Sequence, residues 1–200
     1  MARTSDTRER ILDAGADLFR QQGYESTALK AIVRSGGAPW GSLYHYFPGG
    51  KEELGALALE RSGERFRRLI ETAFEQAGGP AQAIRRMFDL SAAALEASNY
   101  ADGCPVATVA LESANTNESL RQACEQAFAS WLSTLERALC EARIEPVAAR
   151  RLSVFGLSAF EGAIVLSRTL RSTEPLSTSA EVVARIIDST RSGAIGWEQA

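Results

Sequence analysis

The sequence predicts an all-α protein in two parts, a three-helix head over residues 1–51 and a larger helical body over residues 52–200. Three observations carry that reading. Apolar residues recur at helical spacing along almost the whole chain. No run alternates as a half-buried strand would. Glycine and proline clusters cut the N-terminal quarter into short helices but leave much longer ones beyond it.

In the first helix Ile11, Ala14, Gly15, Leu18 and Phe19 make one apolar stripe. Asp6 with Glu9 three positions on resembles a capping box at its start, and Gly23 closes it. Thr27 is placed to cap a short second helix whose inner face is Leu29, Ile32 and Val33, and Ser35-Gly36-Gly37 stops it. Pro39 fits the first turn of a third helix, where a missing N–H does no harm. Leu43 and Phe47 point inward from that helix, and Pro48-Gly49-Gly50 ends it.

A longer helix over 51–76 follows, broken by Gly78-Gly79-Pro80. Further helices are expected at 81–98, 106–114, 117–142, 146–171 and 179–192. The first of these stripes Ile84, Met87, Phe88, Ser91 and Leu95; the third stripes Leu120, Cys124, Phe128, Trp131, Leu135 and Leu139. The 146–171 helix is apolar nearly all round, so something must cover it on more than one side. A second subunit is the simplest cover, with Leu157, Phe160, Ile164, Val183 and Ile187 as the expected homodimer interface.

Composition narrows the function. An apolar share of 45% and a charged share of 24% are ordinary for a soluble globular chain. No signal peptide is expected, and the run from Val154 to Leu166 is short for a membrane span and carries Glu161. A cytoplasmic protein without membrane partners is the expectation. Cys104, Cys124 and Cys140 are too scattered for a disulfide framework or a metal site. One histidine leaves few acid–base or metal constellations, so neither an enzyme nor a cofactor or metal is expected. Gly49-Gly50-Lys51 lacks the earlier glycine and the hydroxyl of a phosphate loop. The net charge of −3 is uneven: residues 1–51 hold seven Lys/Arg against five Asp/Glu, so the head is +2 and the body −5. A basic head suits a chain that meets phosphates at one end.

Three short helices with a glycine turn between the second and third make a helix-turn-helix, which sets its last helix in the major groove of duplex DNA. With Leu43 and Phe47 inward, Trp40, Ser42, Tyr44 and His45 are left outward. Tyr44 and His45 suit phosphate contacts. Thr27 and Lys51, each at a helix start, add donors for further phosphates, and Lys30 adds a cation on the second helix. In the body, Phe66, Met87, Phe88, Val109, Phe128, Trp131 and Phe155 come from several helices, and ligand sites in helical bundles lie between such helices.

The runs Thr27-Ala28-Leu29-Lys30-Ala31-Ile32-Val33-Arg34, Gly41 to Phe47 and Lys51 to Leu54 resemble the TetR family of bacterial repressors. Ala38-Pro39 with Gly41 to His45, Phe47 to Lys51, and Asp102 to Glu112 are similar to its LmrA/YxaF-like branch. The resemblance implies a helix-turn-helix DNA-binding domain followed by a helical ligand-binding and dimerisation domain. It implies a homodimer on palindromic operator DNA, released by a small-molecule effector. Few charges fall on the inward stripes, which favours an apolar or aromatic effector. Tyr44, His45, Thr27 and Lys51 match phosphate-contacting positions of the family, and Pro39, Trp40, Gly41 and Ser42 match base-facing ones. One position departs: the branch carries a basic residue where this chain has Trp40. A thiol-based redox-sensing regulator is the alternative, with Cys104 ahead of a helix start as its candidate.

Overall fold

A computed structural model describes residues 2–197, with side chains from Asp6 onward. Met1 and the last three residues of the expected body lie outside the described residues. The described residues form helices and turns, with no strand among them. In order these are α1 (Ala2–Gln22), α2 (Leu29–Ser35), α3 (Ser42–Tyr46), α4 (Gly50–Gln76) and α5 (Pro80–Ala97). They continue as α6 (Pro105–Ser113), α7 (Glu118–Glu141), α8 (Pro146–Leu170) and α9 (Glu174–Arg191).

The chain divides into two compact units, Met1–Glu64 with Cys104–Phe128, and Arg65–Gly103 with Ala129–Ala200. The unit around the head thus runs past residue 51 and takes in α6, with the first parts of α4 and α7.

In the first unit α1 supplies Ile11, Leu12 and Phe19, α2 supplies Ile32 and Val33, and Leu43 and Phe47 close the core. Each such side chain, fully buried, stabilises the fold by about 1.5–3 kcal/mol. Gly36 has a steric reason: a Cβ there would meet the Arg10 carbonyl oxygen of α1 at 2.9 Å. Gly23 ends α1 in the left-handed region, φ +81, its N–H donating to the Phe19 carbonyl at 3.0 Å. Arg61 of α4 binds α1 with both ends of its guanidinium, to Asp13 at 2.7 Å and to Glu9. At 24% side-chain exposure this fork is a firmer tie than a fully solvated ion pair.

Two N-terminal details differ from expectation. Asp6 lies inside α1 and pairs with Arg10 at 3.5 Å, because the helix already runs from Ala2. Pro39 precedes α3 rather than starting it: Ser42 N–H donates to the Pro39 carbonyl, and Gly41 is the N-cap.

In the second unit α9 packs on α5 and α8. By length and composition alone α8 could cross a membrane, a test that the core helix of a globular protein also passes. Its Leu152, Leu157, Phe160 and Ala163 are nevertheless buried, as are Val183, Ala184 and Ile187 of α9.

Candidate nucleic-acid interface

The turn before α3 and the helix itself hold two kinds of side chain. Leu43 and Phe47 are both 0% exposed, while Trp40 and Tyr44 are 45% and 53% exposed. The two outer rings meet edge to face, centroids 6.1 Å apart. His45 is exposed and packs its ring on Tyr46 at 4.7 Å. Pro39, Gly41 and Lys30 are exposed, Ser42 is half-buried, and a Cβ at Gly41 would touch nothing. Eight of the nine residues nominated for DNA therefore have accessible side chains or backbone.

Thr27 does not. It is fully buried, and its hydroxyl donates to the Gly23 carbonyl at 2.5 Å while accepting from Gln22 Nε2 at 3.1 Å. Ala28, not Thr27, is the N-cap of α2. A hydroxyl engaged in both directions has nothing to offer a phosphate, so the nominated role is corrected to a structural one.

Lys51 stands in the first turn of α4, whose start is fixed by Glu53 accepting from Gly49 N–H at 2.8 Å. Its Nζ donates to the Glu25 carbonyl at 3.3 Å and lies 4.3 Å from the centre of the Tyr24 ring. Burial, with Glu25 and Glu52 nearby, raises the Tyr24 phenol above its ordinary range.

Glu112 of α6 is the residue that sequence reading missed. Its Oε2 accepts from Tyr24 N–H at 2.7 Å and Glu25 N–H at 3.2 Å, across 88 and 87 positions. Its signals were a lone carboxylate in a mostly apolar stretch and its place at the end of the Asp102–Glu112 run noted above.

The ligand nominees separate. Phe66 stacks near Trp131, centroids 4.6 Å apart, and near Phe160 at 5.1 Å; Phe88 meets Phe160 at 5.0 Å. Met87 is buried in the same unit. Val109 and Phe128 belong to the first unit, Val109 fully buried and Phe128 half-buried. Phe155 is 46% exposed on the outer side of α8, so its nomination as a pocket residue is corrected. A cleft of about 410 Å³ in the second unit is lined by Glu71, Phe74, Glu75, Pro80, Thr134 and Arg137 among others, and by none of the nominees.

The dimer nominees are corrected too. Leu157, Phe160, Val183 and Ile187 are buried within one chain and Ile164 is half-buried: α9 packs on α5 and α8, and Phe160 meets Phe66 and Phe88. The uncovered side carries Val154, Phe155, Val165, Leu166 and Leu170 of α8 and Val182 of α9.

Residues 11–56 match the family described as bacterial regulatory proteins, tetR family, and residues 80–182 match the LmrA/YxaF-like transcriptional regulator C-terminal domain. The chain belongs to the TetR family, in its LmrA/YxaF-like branch. It is 36% identical to the HTH-type transcriptional regulator YxaF of Bacillus subtilis, over 94% of this chain and 98% of that one. To LmrA of the same organism it is 36% identical over 86% and 91%. A TetR regulator from Chloroflexus aurantiacus superposes with a TM-score of 0.78 at 27% identity, over 95% of this chain and 98% of that one. Like other TetR members, the chain is a helix-turn-helix DNA-binding transcriptional regulator and not an enzyme.

Proposed function

We propose that the protein is a cytoplasmic repressor that binds an inverted-repeat operator as a homodimer and is released by a small apolar or aromatic effector. The observation that carries this reading is the exposed Trp40–Tyr44 pair on a head whose own core is already complete. Rings that the fold does not need are available to a partner. Trp40 contacts a thymine methyl or sugar edge, which an apolar ring does well. Tyr44, His45 and Lys51 take phosphates, Lys30 adds positive charge, and Gly41 and Ser42 let the backbone approach the base edges. The open aliphatic side of α8 and α9 supports the dimer, since so much apolar surface on one face marks an interface.

The Phe66–Trp131–Phe160–Phe88 cluster, with Met87, supports an aromatic effector in the body. Such an effector releases DNA by binding better to a dimer whose two heads miss successive major grooves, about 34 Å apart. Randomised-site selection with the unaltered dimer tests the reading. Recovery of an inverted repeat with half-sites one or two turns apart is expected; recovery of no enriched sequence overturns it.

One observation favours a second reading, a thiol switch. Cys104 is the N-cap of α6, and its Sγ accepts from Ala107 N–H at 3.4 Å, a place that favours a thiolate. Peroxide that abolishes DNA binding, with dithiothreitol restoring it, would select this reading over the organic effector.

A further inference from the structure

Within the first unit, α6 carries a single charge. Val106 and Val109 are fully buried, and Glu112 is the single charged residue in its nine. That carboxylate gathers two backbone donors of the turn after α1, Tyr24 N–H and Glu25 N–H, on one oxygen. Two N–H groups on a charged acceptor make a strong tie. The seat is shaped for it, since a Cβ on Gly23 would fall on the Glu112 carboxylate. The same turn holds Lys51 from its other side, through the Glu25 carbonyl and the Tyr24 ring. A second contact lies alongside, where Asn117 Nδ2 donates to Glu52 at 3.0 Å.

We propose that Glu112 is a positioning residue for DNA binding: from α6 it fixes the Tyr24–Glu25 turn, and that turn aims Lys51 at a backbone phosphate. This rests on the phosphate role given to Lys51 above. It follows that a displacement of α6 reaches the head as a lost phosphate contact. Affinity then falls alike for all sequences, with base preference unchanged, because phosphates carry no sequence information.

Simple electrostatics predicts the opposite sign. Removing a carboxylate from a DNA-facing head lessens repulsion and tightens binding. The positioning role predicts weaker binding and a shallower dependence on salt.

The test measures anisotropy of the full-length dimer on a duplex recovered by selection and on a scrambled one, between about 50 and 200 mM salt. Lys51→Ala is expected to lower the slope by about one unit per subunit, about two for the dimer, so that its loss of affinity differs about tenfold between the two ends of that range. Glu112→Ala is expected to do the same on both duplexes. Glu112→Asp keeps the charge but falls short of the turn, so it should follow Glu112→Ala and carries the test if the alanine variant does not fold. Glu112→Gln retains an acceptor oxygen and should keep the unaltered slope. The Glu112→Ala, Lys51→Ala pair should lose no more than Lys51→Ala alone. Folded Glu112→Ala or Glu112→Asp protein with an unaltered slope overturns the positioning role, as does tighter binding by Glu112→Ala or full additivity in the pair. An unaltered slope in Lys51→Ala itself overturns the phosphate role of Lys51, and the positioning role with it.

Discussion

In the head, Leu43 and Phe47 are buried while Trp40 and Tyr44, from the same short segment, stand in solvent. In α8, Leu157 and Phe160 are buried while Val165, Leu166 and Leu170 are 55%, 55% and 60% exposed. Both regions leave apolar surface uncovered, but of different kinds. The head offers aromatic rings next to His45 in the chain, and rings with polar tips suit a wet, charged partner. The exposed side of α8, with Val182 of α9, offers mainly branched aliphatics around Phe155 and few polar tips, which suits a dry partner resembling a protein core. On the proposed reading, DNA meets the first surface and a second copy of the chain the other.

The largest expected effect falls on the aliphatic face. Val165→Glu or Leu166→Glu carries a charge into the dimer seam on both subunits without a partner. Either should weaken the dimer at least about a hundredfold, about 2.7 kcal/mol, by light scattering across concentrations. Ser158→Glu, also exposed on α8, sharpens the comparison by mapping how far the seam extends. A dimer unchanged in all three would place the interface elsewhere and leave the aliphatic face unexplained.

Next in size is Gly23→Ala. The left-handed backbone and the collision with Glu112 together should cost about 1–3 kcal/mol, read as a lower Tm. In a Glu112→Ala background the collision is gone, so a smaller loss is expected. An equal loss in both backgrounds would leave backbone strain as the whole effect.

Trp40→Arg should leave fold and dimer intact and move preference toward guanine at one position per half-site. A good bidentate pair discriminates by about 1–3 kcal/mol per position. Identical motifs selected by both proteins would give base reading to Ser42 and the exposed backbone beside it.

The smallest effect concerns the thiols. Burial pushes the Cys124 thiol up to about 11. Cys140 is raised by burial and by Glu136, Glu145 and Glu141. A thiol whose pKa is raised reacts only as pH climbs toward it, so at pH near 8 both are mostly protonated. Iodoacetamide there should label Cys104 first, by peptide mass mapping. Faster labelling of Cys124 would contradict its burial.

Most of the helices were legible because Gly23, Gly36-Gly37, Gly49-Gly50 and Gly78-Gly79-Pro80 mark their ends in local chemistry. Smaller offsets were not. Thr27 and Ala28 are neighbours, and propensity favours the hydroxyl as cap although the backbone puts alanine there. Pro39 suits a helix start and a preceding turn equally well. The open side of α8 was illegible for a different reason: a helix apolar all round carries no angular information, so burial by α9 could not be told from burial by a second subunit. Glu112 escaped because its partners lie 88 and 87 positions away, beyond any local pattern.

Whether the exposed rings beside α3 meet DNA can be read from tryptophan emission. Of the three tryptophans, Trp131 is 2% exposed and Trp197 donates its Nε1 to Thr190 at 3.0 Å, which leaves Trp40 as the ring poised to change surroundings. Adding selected duplex to the dimer should shift or quench the emission. In Trp40→Phe the change should vanish while binding, followed by anisotropy of labelled DNA, persists. An undiminished emission change in Trp40→Phe would mean that Trp40 does not meet DNA.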